Sequence, residues 1–122
     1  ILSTDRIQMP SFEAFRDAES YYATLAHETT HWTRHASRLN RDFGRERFGD
    51  AGYAQEELVA ELGAAFLCAD LRITLSERED HASYIASWLK VLRNDTRAVF
   101  TATAHAERAA EYLRDAAKAA LS

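Results

Sequence analysis

The segment His27-Glu28-Thr29-Thr30-His31 sets two histidines four residues apart, with a glutamate directly after the first. On an α-helix, side chains four apart stand one above the other on the same face. His27 and His31 can therefore present two imidazole nitrogens to one metal ion. Glu28 lies on the adjoining side, where it can serve as general base toward a water at that ion. Zinc suits this set, because a catalytic zinc takes three protein ligands and keeps a fourth position open. Manganese or another divalent ion can also occupy such donors, which select weakly by affinity. The flanks, Tyr21 to Ala26 and Trp32, are largely apolar. Two histidines and a glutamate on a mostly buried helix are costly unless paired or metal-bound.

A third ligand must come from elsewhere in the chain. Glu57 and Glu61 are four apart on a later helical segment, beside a stripe of Leu and Ala. This pair resembles the gluzincin arrangement, in which a glutamate on a later helix binds the metal and an acidic residue four positions on holds a ligand histidine. Glu57 is the expected ligand and Glu61 its hydrogen-bonding companion, with the reverse assignment open. His35, Asp42, Asp50 and His81 are the remaining candidates. The chemistry that follows is peptide-bond hydrolysis: the metal polarises the carbonyl, and Glu28 takes a proton from water and hands it to the leaving amine. An oxyanion donor is also needed. Tyr84 and His81 are the candidates from sequence, against a bland reading of both as core residues.

The elements that must position these residues read as helices. Ala18 to His35 forms the motif helix, with Tyr22, Leu25, Ala26 and Thr29 as its apolar side. Leu58, Leu62, Ala65, Phe66 and Ala69 recur at helical spacing within Ala51 to Leu71. Ser76 and Glu79 form a capping box for a helix to about Leu92, with Tyr84, Ile85, Trp88 and Leu89 buried. Asn94 or Asp95 caps a last helix to about Leu121, with Val99, Phe100, Ala106, Ala110 and Leu113 inward. Before the motif, Ile7 and Met9 alternate with polar residues as one short strand, and Ser11 caps a turn or helix over Phe12 to Asp17. Ala36 to Gly52 reads as a solvated loop whose Arg38, Arg41, Arg45 and Arg47 are balanced by Asp42, Glu46 and Asp50. Trp32 and Trp88 read as core or cleft wall, and His105 as a surface or packing residue. The expected fold is mainly α, a single domain of four to five helices with little or reduced β-sheet.

Composition bounds the remaining classes. The 122 residues are 47% hydrophobic and 28% charged, as in an ordinary globular domain. A net charge of −4 excludes a strongly basic nucleic-acid module. No apolar run approaches the ~20 residues of a membrane span, and residues 1–10 lack the apolar core of a signal peptide. One cysteine, Cys68, permits no disulfide within the chain. It reads as a buried inert thiol and suits a reducing cytoplasm. The chain begins at Ile1, and the expectation is that residues 1–122 are part of something longer.

The run Tyr21-Tyr22-Ala23-Thr24-Leu25-Ala26-His27-Glu28-Thr29-Thr30-His31-Trp32-Thr33 resembles the zincin-like metallopeptidase domain of ArdC-type antirestriction proteins. That domain also occurs in TraC-type plasmid primases and phage polyvalent proteins. Arg38-Leu39-Asn40-Arg41, Phe48-Gly49-Asp50, the run Glu56 to Leu67, and Tyr84 to Leu89 are similar as well, so the likeness extends from about Asp5 to Leu113. Thr29-Thr30 departs from the leucine more usual there, at positions that are not ligands. The resemblance implies the C-terminal peptidase-like domain of a mobile-element protein that protects plasmid DNA from restriction. Single-stranded DNA binding is implied only for an N-terminal domain not represented in these residues. A zinc-dependent peptidase and a non-enzymatic module with a structural metal site both follow from it, and the phenotype of Glu28→Gln separates them.

Overall fold

A computed structural model describes residues 5–44, 50–73, 79–93 and 95–121, with side chains only from residue 85 onward in the stretch 79–93. Four α-helices carry the architecture: α1 (Ala18–Trp32), α2 (Ala51–Asp70), α3 (Glu79–Val91) and α4 (Thr96–Leu121). Among the described residues, a 3-10 turn, Phe12–Ala14, precedes them. Among the described residues there is no β-strand. Residues 6–10 carry no regular secondary structure. With no neighbouring strand among the described residues to supply a ladder, the short strand expected around Ile7 and Met9 does not form.

Helix α2 is the hub. Its buried residues, Gly52, Ala54, Glu56, Leu58, Val59, Ala60, Gly63, Ala64 and Cys68, cover more than one side. A helix apolar on several sides belongs between others. One side meets α4 and α3 through Ala54, Leu58, Val59, Leu92, Ala102 and Ala106, with Ile85, Trp88 and Leu89 packed at the edge. Another meets α1 through Ala26, Ala64 and Cys68. Burial raises the Cys68 pKa, consistent with an inert packing thiol. The crossing with α1 is close at Gly63, where an added Cβ would lie 2.6 Å from the Thr30 Cγ2. The residues brought together, 26 with 64 and 68, and 31 with 56, run in opposite order along the two helices.

The chain chemistry explains the boundaries. Asp17 caps α1 by accepting the Ser20 N–H at 2.7 Å, satisfying one of the free donors of its first turn. The helix stops at Trp32 rather than His35. There the Thr33 hydroxyl donates to the Thr30 carbonyl at 2.6 Å, Arg38 Nε to the Trp32 carbonyl at 2.8 Å, and Arg41 Nη2 to the Thr30 carbonyl at 3.0 Å. Side chains thus take carbonyls at the helix end. Asp95 caps α4, accepting from the N–H groups of Arg97 and Ala98 at 3.0 and 3.3 Å. Ser76, of the expected capping box, and Asn94 lie outside the described residues.

Three apolar assignments change, the first being Ala69, which is exposed near the end of α2. Phe100 is 70% exposed, whereas Ala102, Ala106, Ala109 and Ala110 are buried. Position 100 lies about 200° round the helix from position 102, so a stripe of small residues, not the aromatic ring, meets α2. Tyr22 is half exposed and instead lies edge-on to Tyr21, while Ala26 and Thr30 face inward. No described helix is long and apolar enough to cross a membrane.

Candidate metal centre

The first residues to place are the two histidines, both on the inner side of α1 and half-buried. Their Nε2 atoms stand 3.1 Å apart. Glu57, from the first half of α2, reaches both: Oε2 lies 3.2 Å from His27 Nε2 and Oε1 lies 3.2 Å from His31 Nε2. These three side chains offer donor atoms within 4.8 Å of one another, and no other such group occurs among the described residues. Two zinc–nitrogen bonds of about 2.0–2.1 Å at a tetrahedral angle set their nitrogens roughly 3.3 Å apart, so the donor spacing fits a divalent ion.

The outer ring nitrogens are held in turn. His27 Nδ1 is 2.9 Å from Glu61 Oε1, and His31 Nδ1 is 2.8 Å from Glu56 Oε2. Both contacts are carboxylate–imidazole pairs of the kind that fix the tautomer and ring plane of a ligand histidine. Of the two glutamates left open by the spacing, Glu57 stands between the Nε2 atoms and Glu61 stands behind one ring. Glu56 was not singled out from the sequence for this position. The signal lies in the opposed order of the helices: with 27 beside 61, residue 31 falls beside 56 and 57.

Charge follows from these contacts. Burial works to lower the His27 pKa, but the carboxylates of Glu57 and Glu61 outweigh it and raise the value to about 10. Burial likewise works to raise Glu57, and hydrogen bonds from His27 and His31 bring it down to about 2. His31 is raised against burial by Glu56 and Glu57. Glu56 is lowered against burial by Arg41 and His31.

Arg41 corrects the reading of its loop. It is only 6% exposed and forms a buried two-point ion pair with Glu56, at 2.6 and 2.9 Å. A buried carboxylate needs such a partner, and the arginine fork matches it. Arg38 lies over the Trp32 ring, 3.7 Å from its centroid, and pairs with Asp5. It is half-buried, whereas Arg45, Glu46 and Arg47 lie outside the described residues.

A polar cleft of about 620 Å³ adjoins the cluster, lined by Glu28, His31, Trp32, Arg34, Tyr53 and Glu57 among others. Tyr53, which the sequence reading passed over, is four residues before Glu57 on α2. Its pKa is raised by burial, by the nearby Glu57 charge and hydrogen bond, and by Glu28. Its ring lies edge-on to Trp88, with centroids 5.3 Å apart. The other candidates do not join the cluster. His35 is exposed and accepts the Ser37 N–H at 3.1 Å. Asp42 accepts the N–H of Gly44, whose φ of 85° suits glycine. Asp50 stands at the N-cap position of α2. The side chains of His81 and Tyr84 lie outside the described residues. His105 lies edge-on to Phe43, 5.2 Å between centroids, a packing role.

Residues 1–105 match the family of zincin-like metallopeptidases. The chain belongs to that family. This zincin-like chain is 51% identical over 111 residues to the uncharacterized protein y4eC of Sinorhizobium fredii, covering 91% of the chain and 36% of that protein. It is 43% identical over 111 residues to the DNA primase TraC of Escherichia coli, covering 10% of the primase. The chain thus spans about a third, or less, of these relatives. Among solved structures, it is similar to the Mn(II)-bound antirestriction ArdC protein from plasmid R388, with a TM-score of 0.75 and 44% identity. That match covers 93% of the chain and 42% of ArdC. The metal-free ArdC structure matches with a TM-score of 0.72 and 45% identity.

Proposed function

We propose that this zincin-like chain is a metal-dependent peptide hydrolase domain, with His27, His31 and Glu57 as ligands. The observation that carries the proposal is the meeting of two Nε2 atoms and one carboxylate, each imidazole backed by a further carboxylate, at the wall of a polar cleft. Zinc is the ion this donor set favours, and the Mn(II)-bound state of the similar ArdC protein supports manganese as an alternative. A divalent ion there supplies Lewis acidity and lowers the pKa of water.

The chain's own residues supply the rest. Glu57 bridges the helices, and Glu61 and Glu56 hold the two rings. Glu28, in the cleft, serves as general base, taking a proton from the attacking water and giving it to the leaving amine. Tyr53 is the described residue best situated to donate to the developing oxyanion, since its hydroxyl is within hydrogen-bond reach of Glu57 and near Glu28. Tyr84 and His81 are proposed for the same task from sequence. The test is a peptide screen with metal-loaded protein. The wild type is expected to cleave at least one sequence, and Glu28→Gln to abolish cleavage while retaining metal. Equal cleavage by both would overturn the assignment.

The name of ArdC supports a second reading, an antirestriction module in which the metal site is structural and binding is the function. On this reading, Glu28→Gln leaves restriction protection intact in a full-length protein, whereas His27→Ala weakens the domain. Residues 1–122 are proposed to act as one domain, the C-terminal part of a longer cytoplasmic protein. Any single-stranded DNA binding is proposed for its other parts.

A further inference from the structure

Arg41 and Glu56 join the site through one ring nitrogen. The Arg41 guanidinium is fixed on every side that it uses. Nε and Nη2 donate to the two oxygens of Glu56, Nη1 donates to the Thr33 hydroxyl at 3.1 Å, and Nη2 also donates to the Thr30 carbonyl. Thr30 and Thr33 are themselves fully buried. The arginine therefore ties the end of the motif helix to the start of α2, and it sets the plane of the Glu56 carboxylate.

That plane has a consequence for His31. Both Glu56 oxygens accept from the guanidinium, so the carboxylate is an acceptor toward His31 as well. The contact at 2.8 Å is then a bond from Nδ1–H of His31 to Oε2. With the proton on Nδ1, the lone pair is on Nε2, which faces Glu57 and His27 Nε2. We infer that Arg41 is a positioning residue for the metal: through Glu56 it selects the tautomer and ring orientation in which His31 can bind. The inference rests on the metal reading above and adds to it a residue 10 positions beyond the motif, in the loop after α1.

The test uses Zn²⁺ alone as the probe, with two variants. Arg41→Lys retains the charge and loses the planar fork. Arg41→Met/Glu56→Gln removes both charges together, so no uncompensated ion is left in the interior. Zinc affinity is measured by competition with a chromophoric chelator, and helix content by circular dichroism. Both variants are expected to keep wild-type helix content and to lose about 10–100-fold in affinity, the range for outer partners of ligand histidines. A long-range ¹H–¹⁵N spectrum of the zinc-loaded wild type gives a second readout, independent of whether a variant folds. It is expected to show the His31 proton on Nδ1, and Arg41→Lys to perturb that signal while leaving His27 unchanged. A folded variant with wild-type affinity, or a wild-type spectrum with the His31 proton absent from Nδ1, would overturn the inference. Failure of the metal reading looks different: the wild type then binds no zinc, and the positioning role falls with it.

Discussion

The two sides of α2 are built on opposite rules. Toward α4 it presents Ala54, Leu58 and Val59 to Ala102 and Ala106, a wholly apolar contact. Toward α1 the same helix presents Glu56, Glu57 and Glu61 to two histidines, with Arg41 buried behind them. Desolvating that many ionisable groups stabilises little by itself, since the cost of burial offsets much of the attraction. The α4 side supplies hydrophobic burial, and the α1 side spends stability on a defined arrangement of donors. One helix can do both because its small residues, Gly63 and Ala64 among them, bring α1 close without a thick apolar layer between.

The largest expected effect lies on the apolar side. Leu58→Ala should cost about 2–5 kcal/mol in urea unfolding, from lost burial and the cavity left behind. The zinc affinity of the folded fraction should be unchanged. A fall in affinity matching the loss of stability would show the two sides to be one unit.

The α1 side should carry the main response to pH. His27 is raised from an ordinary value of 6.5 to about 10, so its stabilisation is full below 6.5 and disappears as pH rises through about 10. Glu57 is lowered from 4.5 to about 2, so its share is full above 4.5 and disappears as pH falls through about 2. The metal-free chain should therefore draw most from this pair between these ordinary values, as thermal melts across pH will show. Metal binding runs the other way on the alkaline side. It must displace the His27 proton, and the proton of His31 where that ring is charged, so affinity should rise at least about tenfold per pH unit below about 10. A flat dependence between pH 6 and 8 would remove the histidine from the ligand set.

Gly63→Ala joins the two sides. The new methyl meets the buried Thr30 side chain, and such overpacking costs about 1–3 kcal/mol, against about 1 kcal/mol gained in helix propensity. Unlike Leu58→Ala, it should weaken zinc binding as well, because it moves α1 away from Glu57. The smallest effect is Asp95→Ala, which removes the α4 cap at a cost of about 1 kcal/mol and leaves the metal site untouched. Chemical denaturation and chelator competition check both.

What the sequence made legible was local. Helical spacing located α2 and α4, a cap expected at Asn94 or Asp95 marked the start of α4, and the four-residue intervals of 27/31 and 57/61 brought these helices to attention. The resemblance to zincin-like domains extended this to the family, which the match over residues 1–105 bears out. What escaped was long-range. Nothing in an irregular, arginine-rich loop distinguishes Arg41, whose guanidinium is buried against Glu56, from the neighbours that surround it. Tyr53 looks like an ordinary aromatic in the first turn of α2 until the cleft beside Glu57 is seen. The end of α1 shifted inward because side chains from later residues take its last carbonyls, a competition that periodicity cannot register.

The close seat of Thr30 on Gly63 also settles a question of alignment. Glu57 and Glu61 are chemically equivalent and one helical turn apart, so sliding α1 by about 5.4 Å along α2 would offer the histidines a glutamate again. Such a slide would carry Thr30 from Gly63 to Val59 or Leu67, where a side chain fills the space that the glycine leaves open. The notch thus works like the detent of a ratchet, giving two nearly repeating helix faces a single stable phase.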